Sequence, residues 1–351
     1  MSPWLISRRD DLTWFHGSVI AGILLLLFFW FNQPLSNDNY RATHLSVIVL
    51  LLWGVLFDGT HVFGTYVRSY LAPNSEQQNL PGPWSLWLVV LGPLVAVLDA
   101  AFLSQQPSLL GQAGWLFRGF LLFAYLWAYF HLVRQHYGFL VLYRRRMGAT
   151  VGTRLDSVVL WIGCLYPFAR FSFTDGYLRS GLPLLFPPHL NTKLRGLLDV
   201  IAAVVALVLL SLLWKRAKRL KPGPSELLLG IVIGFHLLVF ALLDNLLTIT
   251  ATLTIFHNMQ YHRIVWQYEN GHHRRPAGGI LRYLGWGILL GTVWYGPRVM
   301  GVALTGSSLL RNLLLGFGWG VAFHHYYVDS RIWRVRRTPS IAEALDHGAS
   351  A

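Results

Sequence analysis

LLLGIVIGFHLLVFALLDNLLTITATLTIFHNMQYHRIVW, residues 227–266, is the stretch on which the fold turns. As one straight helix it would be about 60 Å long at about 1.5 Å per residue, roughly twice the thickness of a bilayer's hydrocarbon core. Asp244 and Asn245 sit at its middle, where a carboxylate and a turn-forming amide favour a tight hairpin. The run therefore reads as two helices rather than one.

The same reading extends along the whole chain. Of its 351 residues 54% are hydrophobic and 13% charged, and mean hydropathy is +0.46, too apolar a balance for a soluble globular protein of this size. Apolar stretches of spanning length are expected at 14–31, 43–66, 84–103, 115–143, 155–173, 196–214, 226–242, 246–266, 280–298 and 307–330. The expected fold class is all-α, a polytopic transmembrane bundle of about ten spans. Residues 1–337 form one integral membrane domain, followed by a mobile cytoplasmic tail over 338–351. The first stretch follows Arg8 and Arg9 as a signal peptide would, but no small-residue cleavage site follows it, so it is read as a retained helix.

Charge orients the bundle. The net charge of +14 is read as basic loops held beside anionic lipid, not as a nucleic-acid surface. Ten spans with both termini cytoplasmic place Arg144–Arg146, the Lys215–Lys221 cluster, Arg274, Arg275 and the 331–337 segment on one side. Nine spans, with 227–266 unbroken, would send the last two groups outside. The expected location is a multi-pass position in the bacterial plasma membrane. The stretch from Thr174 to Arg195, with Pro183, Pro187 and Pro188, is read as an ordinary outer loop in preference to a re-entrant one.

Four spans carry polar clusters: Asp58 and His61, His131 and His136, His257 and His262, then His324, His325 and Asp329. In this orientation all four lie within the last turns before the cytoplasmic face. Ionisable groups within a bilayer cost on the order of 2.5–3.5 kcal/mol each on insertion scales, and a shared cation would offset the cost. Cys164 is the single cysteine, so the donors must be nitrogen and oxygen, which suit iron, manganese, zinc or copper. Asp58 and His61, and His325 and Asp329, share helix faces at i,i+3 and i,i+4. His131/His136 and His257/His262 are at i,i+5. They converge only at a π-bulge, at a helix end, or by serving different metals.

Isolated histidines are read as packed or interfacial: His16, His44, His189, His236, His272, His273 and His347, with His16 the one nearest to joining the site. Asp99, Asp156, Asp199 and Asp244 are set aside as helix-end carboxylates that reach water. Tyr137, Tyr261, Tyr326 and Tyr327 beside the boxes could bond to metal-bound groups, although tyrosine is common at membrane interfaces in any case.

The boxes HLVRQH (131–136), HNMQYH (257–262) and HHYYVD (324–329) resemble the histidine boxes of the membrane fatty-acid desaturase and hydroxylase superfamily. The pattern departs from that superfamily in its terminal HHxxxD and in the added Asp58 and His61. Bacterial membrane carotene-cleaving dioxygenases are a comparable match. The resemblance implies two iron ions, dioxygen as co-substrate, a lipid-like apolar substrate and a separate electron-donor protein at the cytoplasmic face. The nine clustered residues themselves are the expected metal ligands. A transmembrane haem protein, or a metal-ion or proton transporter, are the alternatives.

Overall fold

The computed structural model describes residues 3–32, 44–71, 82–103, 114–148, 153–218, 223–271, 279–303 and 308–333. His272, His273, Arg274, Arg275, the tail from Thr338 and His347 lie outside them, as does the side chain of His44. Among the described residues the fold is all-helical. Ten long helical segments run in order: α1 Arg8–Phe31; α2 His44–Trp53, continuing through Gly54–Gly59 into Thr60–Arg68; α3 Trp87–Leu103; α4 Trp115–Arg146; α5 Thr153–Phe171; α6 Asn191–Ala217; α7 Pro224–Leu242; α8 Leu246–Gly271; α9 Ile280–Ala303; α10 Ser308–Ile332. Six stretches, in α1, α2, α3, α4, α6 and α7, are long and apolar enough to cross a membrane by length and composition. That is compatible with an integral membrane protein.

The run 227–266 breaks where its polar residues fall. Leu243 leaves the helix with extended backbone at φ −108° and ψ 140°. Asn245 Oδ1 then accepts from the N–H groups of Leu247 at 2.9 Å and Thr248 at 3.2 Å, capping α8. Asp244 is held by the Arg179 guanidinium. The Thr174–Arg195 connection contains the short helical turns Asp175–Arg179 and Pro188–Leu190.

Two of the carboxylates expected to reach water are buried instead. Asp99 takes hydrogen bonds from the N–H groups of Gly114, Leu116 and Phe117 at 2.8–3.2 Å, so it satisfies the orphan donors at the start of α4. Asp156 accepts from Arg144 Nε at 2.6 Å, and Arg144 also donates to Glu226 at 2.6 Å. This ion triad ties α4, α5 and α7 together.

Within the stretch read as one domain the helices gather into two compact units. The first comprises residues 1–43 and 130–257, the second 44–129 and 258–351. Helices α4 and α8 each run through both. In the first unit, α1 meets α7 where Gly22 faces Phe235; a Cβ on Gly22 would enter that ring. In the second unit, a core of Leu88, Ala96, Phe117, Phe120, Ala124 and Phe323 joins α3, α4 and α10. There α10 lies against α3 backbone to backbone. A Cβ on Gly316 would meet Gly92, and one on Gly320 would meet Val89 O. Small residues four apart on one face permit such an approach.

Candidate metal site

The close packing of α10 on α3 fixes how α10 is rotated about its axis. His324 follows Gly320 by four residues and so shares its face, towards α3. Its Nδ1 lies 3.0 Å from Tyr66 OH, and its Nε2 lies 3.3 Å from both Tyr70 OH and Ser85 Oγ, the latter in the turn that leads into α3. Both ring nitrogens are thus engaged by hydroxyls. His325, about 100° further round, points elsewhere: its ring centre lies 4.7 Å from that of His61 on α2, with the planes at 76°. A ring nitrogen of each lies within 4.8 Å of the other's.

Tyr261 of α8 packs its ring edge-on to His61 at 4.3 Å and donates its hydroxyl hydrogen to Asp329 Oδ1 at 2.7 Å. Its oxygen also lies 2.6 Å from Thr65 Oγ1 and 3.3 Å from the Trp333 indole nitrogen. Asp329 is therefore anchored to the helix beside the histidine pair. Asp58 occupies the π-helical turn Gly54–Gly59, one turn before His61, and is half-buried.

His262 belongs to this unit but is tied off. Thr60 Oγ1 donates to Leu56 O at 2.7 Å, so it accepts from His262 Nε2–H at 3.0 Å, and Tyr283 OH meets Nδ1 at 2.8 Å. Both nitrogens are occupied by protein, as in His324. These two of the nine expected ligands have both ring nitrogens within hydrogen-bond distance of protein hydroxyls.

Helices α4 and α8 remain regular α-helices across their i,i+5 pairs. The π-helical turns fall instead at Asp11–His16 and Gly54–Gly59. On α8 the pair separates: His257 joins the first unit and His262 the second. On α4 both His131 and His136 approach His257, with ring centres 5.4 Å and 6.3 Å away. Gln135 Nε2 donates to His257 O at 2.9 Å, which locks the two helices in register.

His236 of α7 enters the same group, its ring 5.9 Å from that of His136 and its side chain fully buried. It is packed, as expected, and its neighbour is another imidazole. The available signal was that it is the one polar side chain between Leu227 and Leu242. His16 is excluded, because its two ring nitrogens lie 2.9 Å from Asp11 O and Pro224 O, leaving neither for a cation. His189 is exposed.

The imidazoles fit a metal by spacing and by chemistry. With metal–nitrogen bonds of about 2.1 Å, two imidazoles sharing one tetrahedral ion have ring centres roughly 5 Å apart. His61 and His325 match that spacing, and their ring nitrogens lie within 4.8 Å of each other. Imidazole nitrogen serves iron, zinc, copper and nickel. A buried histidine cluster able to bind a metal is therefore present. No protein family, curated protein or solved structure matches this chain.

Proposed function

We propose that this chain is a membrane-embedded, metal-dependent oxidoreductase. It holds two iron ions, one in each unit, and uses dioxygen to hydroxylate, desaturate or cleave a lipid-like apolar substrate. The observation that carries the reading is the buried pair His61 and His325, whose ring nitrogens lie within 4.8 Å of each other. Bound iron would supply one-electron exchange with dioxygen. The chain's own residues bind, orient and exclude water. Gln135 fixes the backbone under His257, Tyr261 positions Asp329 beside His61, and Phe256 packs at 5.1 Å against His136 to keep the ring dry. A separate donor protein brings electrons to the basic cytoplasmic face.

The experiment is elemental analysis with an optical spectrum. Protein purified from iron-replete medium is expected to carry close to two metal ions per chain and no Soret band. A folded, active preparation without metal would remove the reading, and a strong Soret absorbance would replace it with a haem protein.

The topology belongs to the same proposal: ten spans in a bacterial plasma membrane, both termini and Arg144–Arg146 cytoplasmic, the Asp244–Asn245 turn external. The Lys and Arg distribution supports it. A reporter fused at 245 is expected to give an external signal and one after Arg337 a cytoplasmic signal. The reverse at either position would defeat the ten-span arrangement.

A further inference from the structure

Asn258 lies inside the HNMQYH box, in the second unit, and its side chain is fully buried. Neither its Oδ1 nor its Nδ2 has a hydrogen-bond partner among the described residues. A carboxamide kept from water in that condition is costly, and buried polar atoms are nearly always paired for that reason. This one calls for a partner from outside the chain.

The surroundings narrow that partner. On the regular helix α8, Tyr261 and His262 stand three and four residues after Asn258 and share its face. Both meet His61 of α2, with ring centres 4.3 Å and 6.4 Å away, so Asn258 stands one helical turn from the level at which α8 meets His61. The polar atoms of these two neighbours are engaged: the Tyr261 hydroxyl by Asp329, Thr65 and Trp333, the His262 nitrogens by Thr60 and Tyr283. Ile255 and Val265, before and after on the same face, are buried and apolar. A buried water is typically held by about three polar groups. This face of α8 offers it the carboxamide.

The chemistry of the group narrows the partner further. Oδ1 accepts and Nδ2 donates, so a metal ion or an ether oxygen would answer one atom and leave the other bare. A hydroxyl or a protonated carboxyl group answers both. In apolar surroundings such a group belongs at the end of a lipid-like molecule.

We propose that Asn258 binds the polar end of the second unit's apolar substrate, a hydroxyl or carboxylic acid that both donates and accepts. This rests on the reading that the unit admits a lipid-like substrate beside His61.

The test is equilibrium binding of dodecanol, dodecanoic acid and methyl dodecyl ether to the full-length chain in lipid nanodiscs, with binding to empty nanodiscs subtracted. The native chain is expected to favour the alcohol or the acid over the ether by roughly tenfold, the worth of one net hydrogen bond, and the better of the two identifies the end group. Asn258→Leu keeps the shape without polar atoms, so the preference should vanish while the unfolding temperature stays native or rises. Asn258→Ala makes the same comparison should leucine not fit. A native chain that binds all three alike, or a variant that keeps the preference, would overturn the proposal. So would unfolding well below the native temperature in both variants, since the carboxamide would then be holding the fold. Metal content is read on the same preparations. A preference lost with Asn258→Leu in a chain that carries no metal would uphold the end-group site and remove the oxidoreductase reading alone.

Discussion

Alanine at His61 or His325 is expected to remove one of the two metal ions and to lower turnover by about 100-fold or more. Alanine at His262 or His324 should leave the metal content at the native value. The contrast follows from where the ring nitrogens go. His61 and His325 face each other with nitrogens within 4.8 Å, whereas both nitrogens of His262 and of His324 are occupied by hydroxyl groups. Losing a residue that merely orients a ligand costs about 10–100-fold in metal affinity or activity, so losing a ligand should cost at least the upper end. For His262 and His324 the expected loss is in stability, on the order of 1–3 kcal/mol for hydrogen bonds broken in a buried setting. Elemental analysis beside turnover on the same preparations decides it. Should His262→Ala shed metal as completely as His325→Ala, the division between ligands and framework residues fails.

Arg144→Met is expected to destabilise the folded chain by about 3–5 kcal/mol, because it leaves two carboxylates facing each other across α5 and α7. Arg144 and Asp156 are both nearly inaccessible, with side chains 6% and 4% exposed, so water replaces little of the lost partner. Glu226 is 26% exposed, which places the effect towards the lower end of the range. Adding Asp156→Asn and Glu226→Gln to Arg144→Met should recover most of the loss, since no charge is then buried alone. Equilibrium unfolding in detergent measures the difference. A change below about 1 kcal/mol in the single variant would mean that the triad is solvated and does not hold α4, α5 and α7 together.

Much of the architecture was legible in the residues themselves. Among the described residues ten long helical segments fall close to the ten apolar stretches, six of them holding a run long and apolar enough to cross a membrane, and the break in 227–266 falls where Asp244 and Asn245 interrupt it. Both are consequences of local chemistry: hydropathy accumulates along a single helix, and a side-chain amide caps the next one without help from the rest of the chain. Of the clustered residues, His61, His131, His136, His257 and His325 are all buried beside other imidazoles.

What tertiary structure alone decided is the direction in which each ring looks. His324 and His325 are neighbours in sequence, yet the contact of Gly316 and Gly320 with α3 turns one to Ser85 and the other to His61. The i,i+5 spacing of His257 and His262 did not say which would meet imidazoles and which would meet Thr60 and Tyr283. His236 reads as a lone polar residue until α7 is placed beside α4. Spacing along a helix sets the angles between side chains, but only packing against neighbouring helices sets the rotation of the helix itself. That rotation separates the imidazoles that meet one another from those bonded to hydroxyls.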